Sequence, residues 1–424
     1  MGNSINTDKY VGIGLRGIIA PSIDASAAAF FAASGITGAT QQAAIDNLVK
    51  GLKSDGLWSK MKAVYPFVTD NRNLLGYTNT LTQTSYWNQV SVTLTSGQTD
   101  PTGGTNATRI VGTGAASLYG LISLTAGATY TLSCYVKSTS GSNQTFRIYA
   151  NGGSPFSPNL TATSTWQQVT LTFTAIAGTN SFGITRDSST NNFDILAYGI
   201  QMELGSTATT YQPIATTQQA YIASQFKYNL KDPRDLDAAF RLVFNGGWTH
   251  SSTGATPNGT NGYANTFLVP SSVLSQNSAT IGAYLRTNTT GNYCDIGTSN
   301  AAYINGLYLF YNIVGNRDYS RNNNDNGAAG ITTSSNGFIV NKRNTSTDMV
   351  VLRNNANPLS NGNPTTGRSA FSITLSALNN IGIAELFSNR QTAFNFISDG
   401  LTDTEAANLY TRVQNFQVAL SRNI

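Results

Sequence analysis

Alternation of apolar and polar residues is the dominant pattern in the first half of the chain. Three segments carry it most clearly: Gly127–Lys137, Ala162–Ala175 and Phe193–Pro213. A period of two places every second side chain on the same face, as in a β-strand with one buried side, and the order of the segments is that of a small antiparallel jelly roll. We predict a jelly-roll β-sandwich over residues 73–214.

From Phe226 onward, short apolar runs recur between turns that are rich in Asn and Gly. Repeated short strands with such spacers favour a second sandwich, which we place at residues 215–424. Its length and the rhythm of its strands resemble the concanavalin-type, or laminin-G-like, sandwich. The fold class that follows is mainly β.

The end of the chain follows a helical period instead. Thr402 and Glu405 have the spacing of a capping box, and apolar residues then recur at alternating spacings of 3 and 4. These residues are Ala406, Leu409, Val413, Phe416 and Leu420. Two interpretations are open: a helix that lies against the second sandwich, or a short seam between subunits.

Residues 1–72 are predicted to be helical. One apolar helical face is formed by Ile45, Leu48, Val49 and Leu52. Ser22 or Asp24 and Thr40 are candidate N-caps, and Gly35 is a candidate C-terminal stop. A short, Ala-rich unit buries little apolar surface alone, so we expect it to dock on a partner or on the later domain and to serve as an anchor.

The two flanks of the jelly roll, Lys60–Val68 and Phe226–Asp235, look like parts of one continuous element. Loops tolerate long insertions because the entropy of loop closure grows slowly with length. We therefore predict that residues 73–214 are an inserted domain.

Composition supports this mainly-β picture. Only 11% of the 424 residues are charged, while 40 are Gly, and 40% hydrophobic residues supply enough apolar surface for folded domains. The net charge of +5 is spread thinly, so nucleic acid is not an expected partner. No segment has the roughly 20 consecutive apolar residues of a membrane span. Cys134 and Cys294 lack metal-ligand spacing and are expected to be reduced.

The residues that catalysis requires are scarce. His250 is the only histidine, so a Ser–His–Asp triad would have to use it, and no GxSxG motif is present. We predict that it is a packed or hydrogen-bonded turn residue. Two acidic clusters could supply the carboxylate pair of a glycosidase, but both have the positions of helix starts. They are Asp232, Asp235 and Asp237, and Asp399, Asp403 and Glu405.

A third polar cluster contains Asp318, Asn322–Asn324 and Asp325. We predict that it is a solvated turn; binding of Ca²⁺ by its oxygen atoms is the alternative interpretation, although the spacing of an EF-hand is absent. The residues thus predict a non-enzymatic chain with no catalytic residues, no metal and no cofactor.

Binding of sugars is the chemistry that the residues do favour. Aromatic faces stack on pyranose rings, and Asn, Gln and Thr supply hydrogen bonds. The candidate ligand-binding residues are Tyr86, Trp87, Tyr119 and Tyr149. Trp87 also has an alternative interpretation as a core residue, and Trp166 is expected to plug the core.

Two sets of motifs resemble bacteriophage proteins. The run Met202–Gly205, the Thr-rich stretch after it and Tyr211–Pro213 resemble carbohydrate-binding-module-like domains of phage tail, fibre and capsid-appendage proteins. Leu57–Phe67, Asn229–His250 and the C-terminal helix resemble a C-terminal module in phages of gut Bacteroidetes, including crAss-like phages.

The resemblance implies a structural protein of the virion, such as a head fibre, a tail fibre or a capsid-bound appendage. It would be assembled in the host cytoplasm as a trimer, attached to other virion proteins through the N-terminal region, and would display its sandwiches to host-surface glycans. The alternatives are a capsid decoration or cement protein without a host ligand and a polysaccharide depolymerase.

Overall fold

The computed structural model describes residues 22–187, 192–315 and 317–424. Three elements precede the jelly roll: helix α1 (Ala25–Ser34), helix α2 (Ala39–Ser54) and strand β1 (Met61–Tyr65). Asp24 caps α1 through the N–H of Ser26, and Gly35 ends it at a φ of 71°, as predicted. The prediction that Thr40 caps α2 is wrong, because Gly38 is the N-cap.

The start of α2 is held by a carboxylate from outside the helix. Asp70 Oδ2 accepts hydrogen bonds from the backbone N–H groups of Thr37 and Gly38, at 2.7 and 2.8 Å. The N-cap Gly38 has no side chain that could accept a hydrogen bond, and Asp70 satisfies these backbone donors instead. Because Asp70 is distant in the sequence, the residues around the start of α2 do not identify its cap.

Eight strands form the jelly roll, in the order β6-β5-β8-β3-β9-β4-β7 with β2 beside β3. They are β2 (Asn88–Gln98), β3 (Ala107–Ser123), β4 (Thr129–Ser138), β5 (Gln144–Tyr149), β6 (Leu160–Ala162), β7 (Gln167–Thr174), β8 (Thr179–Arg186) and β9 (Phe193–Leu204). The first part of the long strand β3 pairs with β9 and its last part pairs with β8. The sheet therefore folds into two layers, with an apolar core between them.

The chain segments that enter and leave the jelly roll run side by side. Leu74 N–H donates to the carbonyl of Met202 at 2.9 Å, and Thr78 N–H donates to the carbonyl of Ile214 at 2.8 Å. Adjacent entry and exit are what an inserted domain requires. The exact boundaries at residues 73 and 214 stay a prediction.

The rest of the chain forms a second sandwich, with helices α3 (Gln218–Phe226), α4 (Pro270–Val273) and α5 (Asp403–Ala419) and two 3₁₀ turns (Asp237–Ala239 and Ala301–Tyr303). Its strands are β10 (Val243–Asn245), β11 (Trp248–Ser251), β12 (Gly254–Pro257), β13 (Tyr263–Asn265), β14 (Ala279–Leu285), β15 (Ile296–Ser299), β16 (Gly306–Leu309), β17 (Arg317–Asn324), β18 (Ala328–Ile331), β19 (Gly337–Arg343), β20 (Met349–Arg353), β21 (Ala356–Asn361), β22 (Thr374–Leu375), β23 (Leu378–Asn380), β24 (Ile383–Glu385) and β25 (Thr392–Ser398).

These strands form two sheets. The back sheet has the order β11-β12-β25-β14-β19-β20-β21, and β1 joins it by pairing with β25. The front sheet has the order β10-β13-β22-β15-β16-β17-β18, with β23 and β24 at its side. A large apolar core fills the space between the sheets. Strand residues outnumber helical residues by 40% to 16%, which confirms the mainly-β fold class with N-terminal helices and a C-terminal helix.

Helices α1, α2 and α5 cover the outer face of the back sheet. Phe394 and Phe396 of β25 lie in one buried cluster with Leu48 of α2 and Leu409 and Val413 of α5. The N-terminal helices therefore dock on the later domain, which is one of the two predicted arrangements. The apolar face of α5 is likewise buried within the chain, against the sandwich.

One prediction about the second sandwich is wrong. Asn322, Asn323 and Asn324 were expected in a solvated turn, but they lie in strand β17 and are buried. Asn322 Nδ2 donates to the carbonyl of Ala279 at 3.1 Å, and Asn341 Nδ2 donates to the carbonyl of Arg321 at 2.7 Å. Hydrogen bonds between the sheets thus stabilise buried amides that a hydropathy pattern assigns to solvent.

In the part of the chain that the structure describes, no group of three or more His, Cys, Asp or Glu residues is placed to hold a metal ion. Cys134 and Cys294 are both free and buried. Across the same residues, every helix is too short or too polar to cross a membrane.

Candidate functional site

The structure separates the four predicted ligand-binding residues into two pairs. Trp87 is only 1% exposed and lies in the jelly-roll core, edge-on to Phe182 at 5.7 Å between ring centroids. Its Nε1 donates to the carbonyl of Tyr77 at 3.0 Å. Tyr86 packs against Trp87, and its hydroxyl accepts a hydrogen bond from Gly76 N–H. Trp87 therefore offers no face to a ligand, as its alternative interpretation stated.

The second pair, Tyr119 and Tyr149, lies on an outer face of the jelly roll, on the layer formed by β5, β8 and the last part of β3. Both are register partners of Gly183, which brings their strands β3 and β5 to either side of β8. Tyr149 is 8% exposed, because Phe156 covers its ring at 5.6 Å. Tyr119 is half-buried. This pair presents little open aromatic surface.

A more open aromatic surface lies on the outer face of strands β3, β9, β4 and β7, which we call the tyrosine face. Its centre is Tyr135 of β4 and Tyr198 of β9, which are direct register partners with ring centroids 6.1 Å apart. Gln168 of β7 is the next residue in the same row, opposite Tyr135. Both tyrosines are partly exposed and Gln168 is exposed.

The next row of side chains on the tyrosine face has Leu196 at its centre and a basic residue on each side. Lys137 and Arg109 are the register partners of Leu196 on either side. Arg109 Nε donates to Asp194 Oδ1 at 2.9 Å, and this hydrogen bond lowers the pKa of the Asp194 carboxyl. The face therefore has aromatic rings in one row and hydrogen-bonding groups beside them.

The segment after β9 builds one edge of this face. Glu203 is buried and accepts hydrogen bonds from Gln201 Nε2 at 2.7 Å and from Thr209 N–H at 2.9 Å. These contacts fold the segment back over the sheet. There the rings of Tyr211 and Tyr198 meet edge-on, with centroids 5.1 Å apart and an interplanar angle of 73°. The motif that resembles phage domains thus places an aromatic wall beside Tyr198.

A tight loop forms the other edge. Asp100 accepts hydrogen bonds from Thr102 N–H at 2.8 Å and from Asn106 N–H at 3.1 Å. Burial alone would raise the pKa of Asp100, but these hydrogen bonds lower it to about 2. The side chain of Thr102 in turn hydrogen-bonds Tyr198. Tyr198 is therefore fixed on both sides.

Sequence reasoning missed Tyr135 and Tyr198, although the signal was present. Cys134 and Val136 of β4 and Ala197 of β9 point into the core, so the alternation assigns Tyr135 and Tyr198 to the outer face. An aromatic residue at a position where the alternation requires a polar side chain indicates an exposed aromatic surface.

The acidic clusters have structural partners. Asp232 pairs with Arg234, Asp235 with Lys227, Asp399 with Lys62, Asp403 with Lys342 and Glu405 with Lys60. The predicted capping box of Thr402 and Glu405 is present at α5. Ion pairs and helix capping account for these carboxylates.

His250 is packed, as predicted, but it lies in strand β11 and not in a turn. Its ring stacks on Trp248 at 6.0 Å and meets Phe244 edge-on at 4.8 Å. Burial lowers its pKa to about 4. Neither ring nitrogen has a hydrogen-bond partner, so no carboxylate orients the ring as a triad requires.

No family model matches the chain, and no curated protein matches it either. Solved structures that are similar to parts of it include the CBM22-1 xylan-binding domain of Paenibacillus barcinonensis Xyn10C, at 14% identity and a TM-score of 0.24, with 35% of this chain and 96% of that chain covered. The N-terminal cellulose-binding domain of Cellulomonas fimi β-1,4-glucanase C matches at 17% identity and a TM-score of 0.22, over 29% of this chain and 91% of that chain.

The enzymatically active domain of tailspike protein 4 from bacteriophage CBA120 is also similar, at 16% identity and a TM-score of 0.24, over 33% of this chain and 22% of that chain.

Proposed function

We propose that this chain is a non-enzymatic structural protein of a bacteriophage virion, a head fibre, tail fibre or capsid-bound appendage, that binds host-surface glycans through the tyrosine face. The observation that carries the binding role is the pairing of Tyr135 and Tyr198 on an open sheet face, with ring centroids 6.1 Å apart. Two adjacent aromatic rings offer a stacking platform for a sugar ring.

The surroundings of the platform suit a polysaccharide. Gln168 offers both hydrogen-bond donors and an acceptor, and Lys137 and Arg109 add donors in the next row. Weak contacts of this kind gain strength when several copies act together, as in a trimer on one particle.

The virion role is supported by the motif resemblance of Met202–Pro213, Leu57–Phe67 and Asn229–His250. The ion pairs of the two acidic clusters give those carboxylates a structural role, which supports a non-enzymatic function. Contact with other virion proteins through residues 1–72 is part of the proposal. The protein would then reside in the virion after assembly in the host cytoplasm.

The test is affinity electrophoresis of the full chain through gels that contain host capsular polysaccharide. We expect the gel to retard the wild type, and Tyr135→Ala and Tyr198→Ala to lose most of the retardation. Tyr119→Ala, on the other outer face of the jelly roll, is the matched control and should migrate like the wild type. Equal retardation of Tyr135→Ala and wild type would remove the binding role from this face.

The same samples distinguish the two rival functions. Release of reducing ends from the polysaccharide would establish a depolymerase. Absence of retardation for the wild type, together with weaker particles when the gene is deleted, would establish a decoration or cement protein. Labelling of the chain on intact particles tests the virion role independently of any glycan.

A further inference from the structure

The front sheet of the second sandwich carries an aromatic cleft that the tyrosine face does not explain. The cleft has a volume of about 310 Å³. Its main lining residues are Tyr303, Tyr308, Phe310, Tyr319, Arg321 and Leu386. Tyr308 and Phe310 form its floor, stacked at 4.6 Å and 27°. Tyr303 and Tyr319 are 37% and 36% exposed, so they stand at the rim.

A cation lies among these rings. Arg321 is the register partner of Tyr308, and its guanidinium carbon is 5.7 Å from the ring centroid of Tyr308 and 5.3 Å from that of Tyr319. Its Nη2 donates to the Tyr319 hydroxyl at 3.1 Å, and its Nη1 donates to the carbonyl of Tyr303. The aromatic contacts and hydrogen bonds therefore hold the guanidinium at the cleft.

Arg321 has no ion-pair partner among the described carboxylates; the carboxylate near the rim, Glu385, hydrogen-bonds the Tyr303 side chain. The buried Nε of Arg321 has no hydrogen-bond partner within the described residues. By contrast, the buried Arg390 of the same sandwich pairs with Asp295 at 2.7 Å. Nη1 and Nη2 of Arg321 each carry two N–H donors and each donates once within the protein, so a second donor of each is left for a planar anion such as a carboxylate.

The backbone beside the cleft is strained. Ala302 and Tyr303 have φ values of 54° and 63°, in the left-handed region that residues with a side chain adopt rarely. Strain of this kind persists where the surroundings enforce it, and it clusters at ligand sites. Here it places the Tyr303 ring at the rim and its carbonyl on Arg321.

We propose that this cleft is a second binding site, specific for a sugar unit that carries a carboxylate, such as a uronic acid. The aromatic rings would stack on the pyranose and Arg321 would bind the carboxylate. The two sandwiches would then recognise different features of an acidic surface polysaccharide. Binding at the cleft depends on the residues of the cleft alone and does not require the tyrosine face to bind.

The experiment uses isothermal titration calorimetry with trigalacturonic acid and its methyl ester as probes. The protein is the full chain with Tyr135→Ala and Tyr198→Ala, which removes the tyrosine face from the measurement. We expect the acid to bind about tenfold more tightly than the ester, since loss of the charge removes a charge-assisted hydrogen bond. Added salt should weaken binding of the acid.

Arg321→Gln should abolish the preference for the acid. Arg147→Gln is the matched control, because Arg147 lies over the ring of Phe156 at 4.3 Å in the jelly roll and not in the sandwich that carries the cleft. If Arg321→Gln does not fold, Tyr319→Phe removes only the hydroxyl that accepts from Arg321 and should lower the affinity several-fold. Equal affinity for acid and ester, no binding of either, or an unchanged preference in the Arg321 and Tyr319 variants would overturn the proposal.

Discussion

Tyr135 and Tyr198 are direct cross-strand partners because strand β9 contains a bulge. Ser133 pairs with Gln201 and Tyr135 with Tyr198, so two residues of β9, Gly199 and Ile200, lie opposite one residue of β4. Gly199 adopts a φ of 64° at this bulge, and a Cβ there would lie 3.0 Å from the ring of Tyr211. The bulge therefore sets the spacing of the three tyrosines.

We expect Gly199→Ala to lower both stability and glycan retention. The left-handed φ costs about 1–2 kcal/mol for a residue with a side chain, and the contact with Tyr211 displaces the wall beside Tyr198. The measurements are chemical denaturation and affinity electrophoresis.

Gly127→Ala is the matched control for this variant. Gly127 has a φ of 80° with no atom within 4 Å of an added Cβ, so it carries the strain without the contact. Gly127→Ala should lose a similar free energy of unfolding and keep glycan retention. Equal loss of retention in both variants would show that the bulge does not position the tyrosines.

Thr402→Ala should destabilise α5 and the second sandwich by about 1 kcal/mol, because the Thr402 hydroxyl accepts the N–H of Glu405 at 3.2 Å in the capping box. Thermal unfolding measures the loss. Thr404→Ala is the control, since Thr404 is exposed in the first turn and Ala favours helix; it should unfold at the wild-type temperature or slightly above. A Thr402→Ala variant as stable as Thr404→Ala would contradict the capping role.

The contrast between α5 and β17 shows how far the sequence predicts this fold. The capping box and apolar period of α5 are local, so Thr402, Glu405 and the buried face were predictable. Strand β17 was not, because Asn322 is buried only through hydrogen bonds with residues distant in the chain, such as the carbonyl of Ala279. Patterns within one segment do not contain such partners.

The candidate site has the same limit. The strands that carry Tyr135 and Tyr198 were predicted, and the alternation of apolar and polar residues places both side chains on the outer face. Their meeting depends on the register of β4 with β9 and on the bulge at Gly199, which no single segment encodes. Choosing aromatic residues by type instead of phase led to Trp87, which fills the core.

Loss of Arg390 should be far more costly than loss of a surface arginine. The side chains of Arg390 and Asp295 are 0% and 1% exposed, and Arg390 Nη2 also donates to the carbonyl of Thr289 at 2.7 Å. Arg390→Met leaves the Asp295 carboxylate buried without its cation, at a cost of about 3–5 kcal/mol. The free energy of unfolding from urea titration measures this cost.

Two variants accompany that measurement. Arg234→Gln removes an exposed ion pair with Asp232 and should cost less than about 1 kcal/mol. Arg390→Met combined with Asp295→Asn should be more stable than Arg390→Met alone, because no charge is left buried. A double variant that is less stable than Arg390→Met would show that the lost hydrogen bonds, and not the unpaired charge, account for the destabilisation.

His250 should make the second sandwich less stable in mild acid. Its pKa is about 4 in the fold, against 6.5 for a free histidine, because its ring is buried beside Phe226, Phe244 and Trp248. As the pH falls from about 6.5 to 4, the unfolded chain binds a proton that the folded chain does not, so the free energy of unfolding decreases. By pH 5 this loss amounts to about 2 kcal/mol.

His250→Phe should remove that loss and stabilise the protein at pH 5, since both ring nitrogens are buried without partners and an aromatic ring of similar size keeps the packing. The measurement is the difference in free energy of unfolding between wild type and variant at pH 7.5 and at pH 5. Burial raises the pKa of Asp318 to about 6, which changes stability in the opposite direction, but this effect is common to both proteins and cancels. If wild type and His250→Phe differ in free energy of unfolding by the same amount at both pH values, His250 is protonated to the same extent in the folded and unfolded states, and its pKa is not lowered by the fold.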